Sequence, residues 1–365
     1  MGEEKIIAGK RAGSFASRVL KKGLTLVPVL FYEYYRRTNL SIYLEPIVFT
    51  KADNFSHKSH SIEWWYFTGI LNSTMHKHPL GFEVTFFRIA ALGEGRILHT
   101  AVTDVENGAF HNRSLNVAFY PTLLDHRDSR HVNSIFGNYL YYDQAQNKFH
   151  INTRIRDLTV NLEMGSGDIM CQGNRGVLDD SYLDGSSYYF SLPNLVTTGR
   201  ISYGGNTCDV NGMTWHDHQW GNFRLREIAW EWFSLRFDEQ ELYIMVFVFK
   251  KAGGVIYSGN IMHHSMTQPI NDIEVLSNDG IMVCNGFRYP SSWNMRIIVG
   301  NRRIECRIIP LVKDQSINSV ITPSYWEGIC SVQAVFPSGA NICGSEFLPG
   351  TVLNGYAYTE VTADE

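Results

Sequence analysis

Two histidines and an aspartate stand together in the middle of the chain, in the segment GMTWHDHQWGNF at residues 212–223. Alternate residues of a β-strand share a face. One face would therefore carry His216, His218 and Trp220, and the other Trp215, Asp217 and Gln219. The segment thus offers imidazole and indole rings on one side of a strand and a carboxylate on the other.

Three roles are open for this segment. A histidine near a carboxylate can transfer protons, because an unperturbed histidine titrates near physiological pH. Two histidines at a spacing of two can also bind a metal ion, with Asp217 or the neighbours His263 and His264 as further ligands. The histidines can instead be structural and hydrogen-bond to the backbone. Because the spacing fixes no third metal ligand, we predict that the protein binds no metal.

A second carboxylate lies among aromatic residues in HSIEWWYFTGIL, at residues 60–71. On a strand, Glu63 would share a face with Trp65 and Phe67, and Trp64 would share the other with Tyr66 and Thr68. A carboxylate in such surroundings must be paired, or its pKa must rise. Pairing with a residue such as Arg88 would make Glu63 structural, whereas a proton on it would make it an acid. Both faces are bulky, so both should be covered, one of them by a ligand or by protein.

Composition excludes some classes of protein. The 365 residues are 44% hydrophobic and 13% aromatic, and the net charge of -4 gives no reason to expect a nucleic-acid partner. No two cysteines form a CxxC pair, which argues against a thiolate zinc site. We expect the six cysteines to be buried free thiols: Cys171, Cys208, Cys284, Cys306, Cys330 and Cys343.

The strands that must position these residues are visible as short aromatic and β-branched runs between turns, such as GFEVTFFRIA and ELYIMVFVFK. No helical segments separate them, which disfavours a parallel α/β fold. A weak repeat, EWWYFTGIL with GFEVTFFRI and WEWFSLRF with LYIMVFVFK, pairs Trp65 with Trp232. We predict an all-β chain of two consecutive antiparallel β-barrels, with segments at 1–45, 46–198 and 199–365.

The first 45 residues differ in character from the rest. Residues 14–38 combine basic side chains with a short apolar run that Pro28 and Glu33 interrupt. The run is too short for a transmembrane helix, which needs about 20 apolar residues. We predict a short helical segment that packs on the barrel or docks on an anionic membrane surface. We expect the protein to be cytoplasmic.

Four motifs carry a family resemblance: EWWYFTG with GFEVTFFR, GMTWHDHQWGNF, YWEG and GYAYTEVT. In this order they resemble the lipocalin-like AttH and carotenoid 1,2-hydratase (hydroxyneurosporene synthase) group, which also includes kievitone-type hydratases and decalin-forming Diels–Alder cyclases. The resemblance implies two lipocalin-like barrels and a pocket for long apolar molecules near their junction. It places the hydratases' His-x-Trp pair on His218 and Trp220. The acidic residue of the next inward strand has no match here, and Tyr243 is the nearest polar residue.

These observations predict an enzyme that acts on an apolar polyene, isoprenoid or polyketide, by hydration or isomerisation of a carbon–carbon double bond, without a cofactor. A pericyclase, which needs only a shaped cavity and hydrogen bonds, and a non-catalytic lipid or pigment binder are the alternatives. A carbohydrate-binding module would require secretion, which the N-terminus disfavours. The predicted catalytic residues are His218, Trp220, Asp217 and Glu63. The predicted substrate-binding residues are Trp64, Tyr66, Trp215, His216, Trp232 and Tyr243.

Overall fold

The computed structural model describes residues 43–90, 93–117, 119–125, 127–165, 167–179, 181–224, 229–251, 254–277, 280–317 and 324–362. The predicted helical and membrane-docking segment at residues 14–38 lies outside these ranges. Within them, none of the helices has the length and apolar character needed to cross a bilayer. The helices described are three 3-10 turns, at Lys51–Asn54, Thr122–Leu124 and Asp238–Gln240.

The first sheet contains twelve strands from the first part of the chain. Their bounds are β1 Ile62–Ser73, β2 Leu80–Ala90, β3 Glu94–Asp104, β4 Ala109–Val117, β5 His131–Ile135, β6 Asn138–Asp143, β7 Lys148–Ile155, β8 Leu158–Gly165, β9 Met170–Cys171, β10 Val177–Leu178, β11 Asp184–Tyr203 and β12 Asn206–Arg224. The strand order is β4-β3-β2-β1-β12-β11-β8-β7-β6-β5, and β9 and β10 pair with β11.

The second sheet and two small hairpins follow. Their bounds are β13 Ala229–Phe237, β14 Leu242–Lys251, β15 Gly254–His263, β16 Met266–Pro269, β17 Asp272–Ser277, β18 Ile281–Cys284, β19 Phe287–Pro290, β20 Trp293–Val299, β21 Arg302–Pro310, β22 Ser316–Ile317, β23 Tyr325–Phe336, β24 Ala340–Ile342, β25 Ser345–Phe347 and β26 Thr351–Thr362. The order is β16-β15-β14-β13-β26-β23-β21-β20-β17, with β22 beside β23 and with β18-β19 and β24-β25 as separate hairpins.

The two sheets repeat one arrangement, which confirms the predicted all-β fold of two antiparallel units. In each, a run of four consecutive antiparallel strands leads to the last long strand of the unit: β4-β3-β2-β1 meets β12, and β16-β15-β14-β13 meets β26. The chain passes from the first sheet to the second between Arg224 and Ala229. The predicted segment boundary at residues 198 and 199 falls inside β11.

Alternation of side chains builds three apolar clusters. One lies inside the first sheet and includes Trp65 and Trp220, and one lies inside the second and includes Trp326. The third joins residues of both sheets, among them Tyr66 and Trp232. Strands β1 and β12 are therefore buried on both faces, one by the interior of their own sheet and the other by the second sheet. This explains why the Trp64–Trp65 strand reads as an almost continuous aromatic run.

The six cysteines are free, as expected, and four of them are buried. Burial raises the pKa of the Cys306 and Cys330 thiols to about 12, so both stay protonated. Cys306 and Cys330 act as small apolar side chains of the second sheet's core.

Candidate active site between the two sheets

The third cluster lines a cavity of about 80 Å³, whose first wall comes from β1, β2, β11 and β12. Strand register determines which side chains reach it. Trp64 lies opposite Phe87 on β2 and Gln219 on β12, and Tyr66 lies opposite Thr85 and Asp217. Paired residues of antiparallel strands share a face, so the first sheet presents this row toward the second sheet.

The opposite wall comes from β13, β14, β23 and β26. It consists of five aromatic side chains and two acids, which are Trp230, Trp232, Phe247, Phe249, Tyr325, Glu327 and Glu360. Register again sets the arrangement, because Glu360 lies between Glu327 on β23 and Trp232 on β13. Like charges directly opposite each other on neighbouring strands are destabilising. At least one of the two glutamates therefore has reason to hold a proton.

Glu327 is buried and accepts one side-chain hydrogen bond. Its Oε1 accepts a hydrogen bond from the Tyr66 hydroxyl of the first sheet at 2.7 Å. Its other oxygen accepts none from the residues that the structure describes. Burial, followed by the charges of Glu83 and Glu360, raises the pKa of Glu327 well above its ordinary value. Both causes favour the neutral form of the Glu327 carboxyl group over the carboxylate.

Glu360 shows the same pattern to a smaller degree. Its Oε1 accepts a hydrogen bond from Trp230 Nε1 at 2.9 Å, and burial together with the charge of Asp217 raises its pKa to about 7. Glu83 lies beside the pair without lining the cavity. Burial raises the pKa of Glu83 to about 8, and its Oε2 has no hydrogen-bond partner. Both cavity glutamates therefore have raised pKa values, which is what acid–base chemistry at neutral pH requires of a carboxyl group.

Asp217 is a third acid of the cavity, and it is firmly held. It accepts hydrogen bonds from Tyr189 Oη at 2.6 Å, from Trp215 Nε1 at 2.7 Å and from the Ser191 hydroxyl. Burial outweighs these bonds and raises its pKa to about 6. Trp232 Nε1 in turn donates to Tyr189 Oη at 3.1 Å. This chain of hydrogen bonds ties Asp217 to the second sheet.

Tyr325 forms a hydrogen bond with a buried histidine, His99. Its hydroxyl lies 2.7 Å from Nδ1 of His99, and both residues are buried. Burial lowers the pKa of His99 to about 4 and raises that of Tyr325 well above its ordinary value. Both groups are therefore neutral at pH 7, and the assigned direction of the bond is from the phenol to the imidazole nitrogen. His99 thereby fixes the orientation of the Tyr325 hydroxyl at the cavity wall.

Four of the predicted site residues line the cavity, namely Trp64, Tyr66, Asp217 and Trp232. Trp215 lies behind this wall. It donates a hydrogen bond to Asp217 and packs edge-on against Trp232, with ring centroids 6.2 Å apart. Tyr243 belongs to the same apolar cluster but is absent from the cavity wall. Burial raises its pKa to about 12, so its hydroxyl stays protonated.

The remaining predicted residues, Glu63, His216, His218 and Trp220, lie on the opposite face of β1 and β12, inside the first sheet. His218 stacks on Trp65 with a centroid distance of 4.9 Å, and His216 stacks on Phe67 at 4.1 Å. Trp220 stacks on His57 at 3.8 Å. This placement differs from the expectation that His218 and Trp220 face the same cavity as Trp64 and Tyr66. The period of two separates the His-x-Trp face from the Asp217 face.

Glu63 is the centre of a buried ion-pair network, and the predicted partner Arg88 is confirmed. Arg88 Nε donates to Glu63 Oε2 at 3.0 Å, while His218 Nε2 and His57 Nδ1 each lie 3.1 Å from Oε1. Burial alone would raise the pKa of Glu63. The hydrogen bonds from His218 and His57, with the charge of Arg88, instead hold it well below its ordinary value. Glu63 is therefore an ionised structural residue.

His57, Glu63 and His218 also offer ligand atoms within 4.8 Å of one another, a spacing that a metal ion could use. Hydrogen bonds and the Arg88 guanidinium already account for these contacts. The absence of a metal remains a prediction.

Sequence reasoning missed the acids on the second wall. Glu327 and Glu360 stand in YWEG and GYAYTEVT, where a single acid interrupts an aromatic strand, as Glu63 does in EWWYF. This shared pattern was the available signal. It could not distinguish an acid with an arginine partner from one without.

Comparison with known proteins gives one family and one fold. A sequence model of the AttH-like family matches residues 44–363. No curated protein sequence matches significantly.

Three solved structures have the same fold. A Nitrosomonas europaea protein provisionally assigned to AttH has a TM-score of 0.71 and 23% identity, over 89% of this chain and 99% of its own. Kievitone hydratase from Nectria haematococca has a TM-score of 0.68 and 15% identity, over 90% and 96%. CghA, solved with Sch210972, has a TM-score of 0.57 and 11% identity, over 89% and 94%. At these identities the likeness concerns the fold.

Proposed function

Because this chain belongs to the AttH-like family, we propose that the cavity between its two sheets is an active site for acid-catalysed chemistry on a carbon–carbon double bond. The substrate is an apolar polyene, isoprenoid or polyketide, since aromatic side chains form most of the cavity wall. The fold is shared with a protein named as a hydratase, which supports addition of water as the first reaction to test.

The observation that carries this proposal is a buried carboxyl group, Glu327, on the wall of an aromatic cavity, where burial favours its neutral form. An isolated alkene needs a proton donor that is still protonated at the working pH and close to the carbon. A buried carboxyl with a raised pKa meets the first condition. The Tyr66 hydroxyl holds Glu327 Oε1 and leaves the other oxygen available to the substrate.

In the proposed hydration, Glu327 gives its proton to one alkene carbon, and the other carbon becomes a cation. A water molecule forms a bond to that cation, and Glu360 accepts the proton that this water loses. One substrate and one water become one alcohol, and a proton returns from Glu360 to Glu327 before the next cycle. If Glu360 removes a proton from a neighbouring carbon instead, the product is an isomerised alkene.

The predicted catalytic roles are redistributed in this scheme. Glu63 is held ionised by Arg88 and lies on the other face of its strand, together with His218 and Trp220. Proton transfer is therefore assigned to Glu327 and Glu360. Trp232, in place of Trp220, offers a ring to a developing positive charge.

The proposal is tested by turnover in deuterated buffer. Wild type, Glu327→Gln and Glu274→Gln are incubated with a panel of polyenes, isoprenoids and unsaturated polyketides, and products are identified by mass spectrometry and NMR. Glu274 is a matched control, because it is exposed on β17 and pairs with Arg296. We expect wild type and the control to form a product with solvent deuterium on carbon. Glu327→Gln should lose about 100-fold or more in rate, the contribution of a general acid. Equal turnover by Glu327→Gln would refute the assignment.

A pericyclase is the second candidate, because a neutral carboxyl can also donate a hydrogen bond that polarises a dienophile. The same assay separates the two reactions. A cycloaddition gives a product of unchanged mass with no deuterium on carbon. Tight binding without any product would support a non-catalytic lipid- or pigment-binding protein.

A further inference from the structure

The cavity between the sheets carries acids without a counter-charge. Its wall includes Asp217, Glu327 and Glu360, and no lysine, arginine or histidine of the described chain lines it. A buried carboxylate normally has a cationic partner, as Glu63 has in Arg88. Here the positive charge is missing from the protein itself.

The free oxygens of two of these acids mark where a positive charge would bind. Glu327 and Glu360 lie opposite each other on β23 and β26, and each uses one carboxyl oxygen in a hydrogen bond with a neighbouring side chain. Their second oxygens accept no hydrogen bond from the described residues. Glu327 is 1% exposed, so its carboxyl group lies at the cavity wall and away from bulk solvent.

The rest of the wall suits a cation that cannot donate hydrogen bonds. Trp232 lies directly opposite Glu360 and Phe247 in strand register, and Tyr66 packs edge-on against it at 5.2 Å. Ring faces attract cations through their quadrupole, most strongly when water is excluded. Carboxyl groups beside indole rings are the arrangement that binds quaternary ammonium groups.

We propose that this cavity is a receptor for an organic cation, specifically a quaternary ammonium group on an aliphatic chain. The inference rests on the proposed function, because such an ammonium group has the charge and branching of the tertiary carbocation in that reaction. The chain occupies the aromatic part of the cavity, and the ammonium group lies between Trp232 and the two glutamates. A stable ammonium compound is then an inhibitor that mimics the intermediate.

Three probes with the same chain and different head groups test this inference without knowledge of the substrate. Octyltrimethylammonium, octan-1-ol and octanoate are titrated into the full-length protein at pH 7, and dissociation constants are measured by calorimetry. A desolvated cation–π contact and a carboxylate together should make the ammonium compound bind about tenfold or more tightly than the alcohol. Octanoate should bind most weakly, because its charge repels the acids.

Variants place the preference in this cavity. Glu327→Gln and Glu360→Gln each keep side-chain volume and remove an acid that can ionise beside a bound cation, so each should reduce the ammonium preference to about threefold or less. Trp232→Leu should reduce the ammonium preference as well, because it removes the ring that faces the cation. Glu274→Gln, the same substitution at an exposed acid, should retain the full preference. Thermal melting confirms that each variant is folded, and the two glutamine variants are independent of each other.

Several outcomes would overturn the inference. Equal binding of the ammonium compound and the alcohol would show no cation site, and a preference kept in all three cavity variants would place it elsewhere. The proposed function fails separately. If Glu327→Gln stops turnover while wild type shows no ammonium preference, the acid chemistry stands and the inference is wrong. If the ammonium compound binds as expected but Glu327→Gln turns over normally, the inference stands and the assigned acid is wrong.

Discussion

Replacing Glu360 by glutamine removes a charge between the two sheets and keeps the volume of the side chain. Glutamine Oε1 can still accept the hydrogen bond from Trp230. The change therefore isolates the effect of ionising this group in the folded protein. Because the folded-state pKa is raised, the group's contribution to stability is fully present below about pH 4.5 and is lost as pH rises through about 7.

The magnitude follows from the difference between the two pKa values. The folded value of about 7 minus the ordinary value of 4.5 is about 2.5 pH units. At about 1.4 kcal/mol for each unit, ionisation of Glu360 removes about 3 kcal/mol from the free energy of unfolding. The charge of Glu360 also raises the pKa of Glu83 and Glu327. Without that charge, ionisation of Glu83 and Glu327 also removes less stability from the variant. The change at Glu360 and the changes at these two neighbours therefore both favour the variant at high pH.

Urea unfolding of wild type and Glu360→Gln at pH 5, 6, 7 and 8 measures this difference. We expect the variant to gain about 2–3 kcal/mol relative to wild type between pH 5 and pH 8, because part of the loss has already occurred at pH 5. Groups whose pKa values do not depend on Glu360 are common to both proteins and cancel in the comparison. Glu274→Gln, on the exposed face of β17, should follow wild type at every pH. Parallel curves for Glu360→Gln and wild type would refute the conclusion that Glu360 ionises only with difficulty.

Three further substitutions test the framework of the site by urea unfolding. Arg88→Met leaves Glu63 without its guanidinium and should cost about 3–5 kcal/mol, as breaking a buried ion pair does; unchanged stability would contradict the structural role of Glu63. Tyr325→Phe leaves His99 Nδ1 without its partner and should lower the free energy of unfolding by about 1–3 kcal/mol. Adding His99→Phe to this variant should change its stability little. Additive losses in the double variant would show that the two residues are not coupled. Gly221→Ala would place a Cβ 2.2 Å from the backbone oxygen of Ser186 and should lower the melting temperature strongly. Gly165→Ala meets only the flexible side chain of Lys148 at 3.4 Å and should not.

Local pairing and alternation could be predicted from the sequence. The Glu63–Arg88 pair is confirmed because β1 and β2 form a hairpin in which these residues lie directly opposite each other. The separation of His216 and His218 from Asp217 follows from the period of two. Both results depend only on residues close together in the chain.

The face that meets the other sheet could not be predicted, because both faces of β1 and β12 carry aromatic residues. The sequence repeat illustrates the difficulty. It pairs Trp65 with Trp232, but Trp65 lies inside the first sheet and Trp232 lies at the cavity. The correct alignment must differ by an odd number of residues, and a shift of one residue exchanges the two faces of a strand. Composition does not reveal such a shift when both faces are apolar.

The acid pair was hidden for a different reason. Glu327 and Glu360 become neighbours only through the register of β23 with β26, which joins parts of the chain that are far apart. Their raised pKa values also require the first sheet, because burial is the largest cause of both. A neutral carboxyl is thus a property of the assembled pair of sheets rather than of any one segment.

Contacts between the sheets link the chemistry of the cavity to its stability. Tyr66 of the first sheet donates to Glu327 of the second, and Trp232 of the second donates to Tyr189 of the first. Separating the sheets would break both bonds, admit water and return the carboxyl pKa values toward their ordinary range. The packing that excludes water therefore also keeps Glu327 protonated. In this protein the acid and the apolar binding site arise from the same interface, so a change that loosens it should weaken both together.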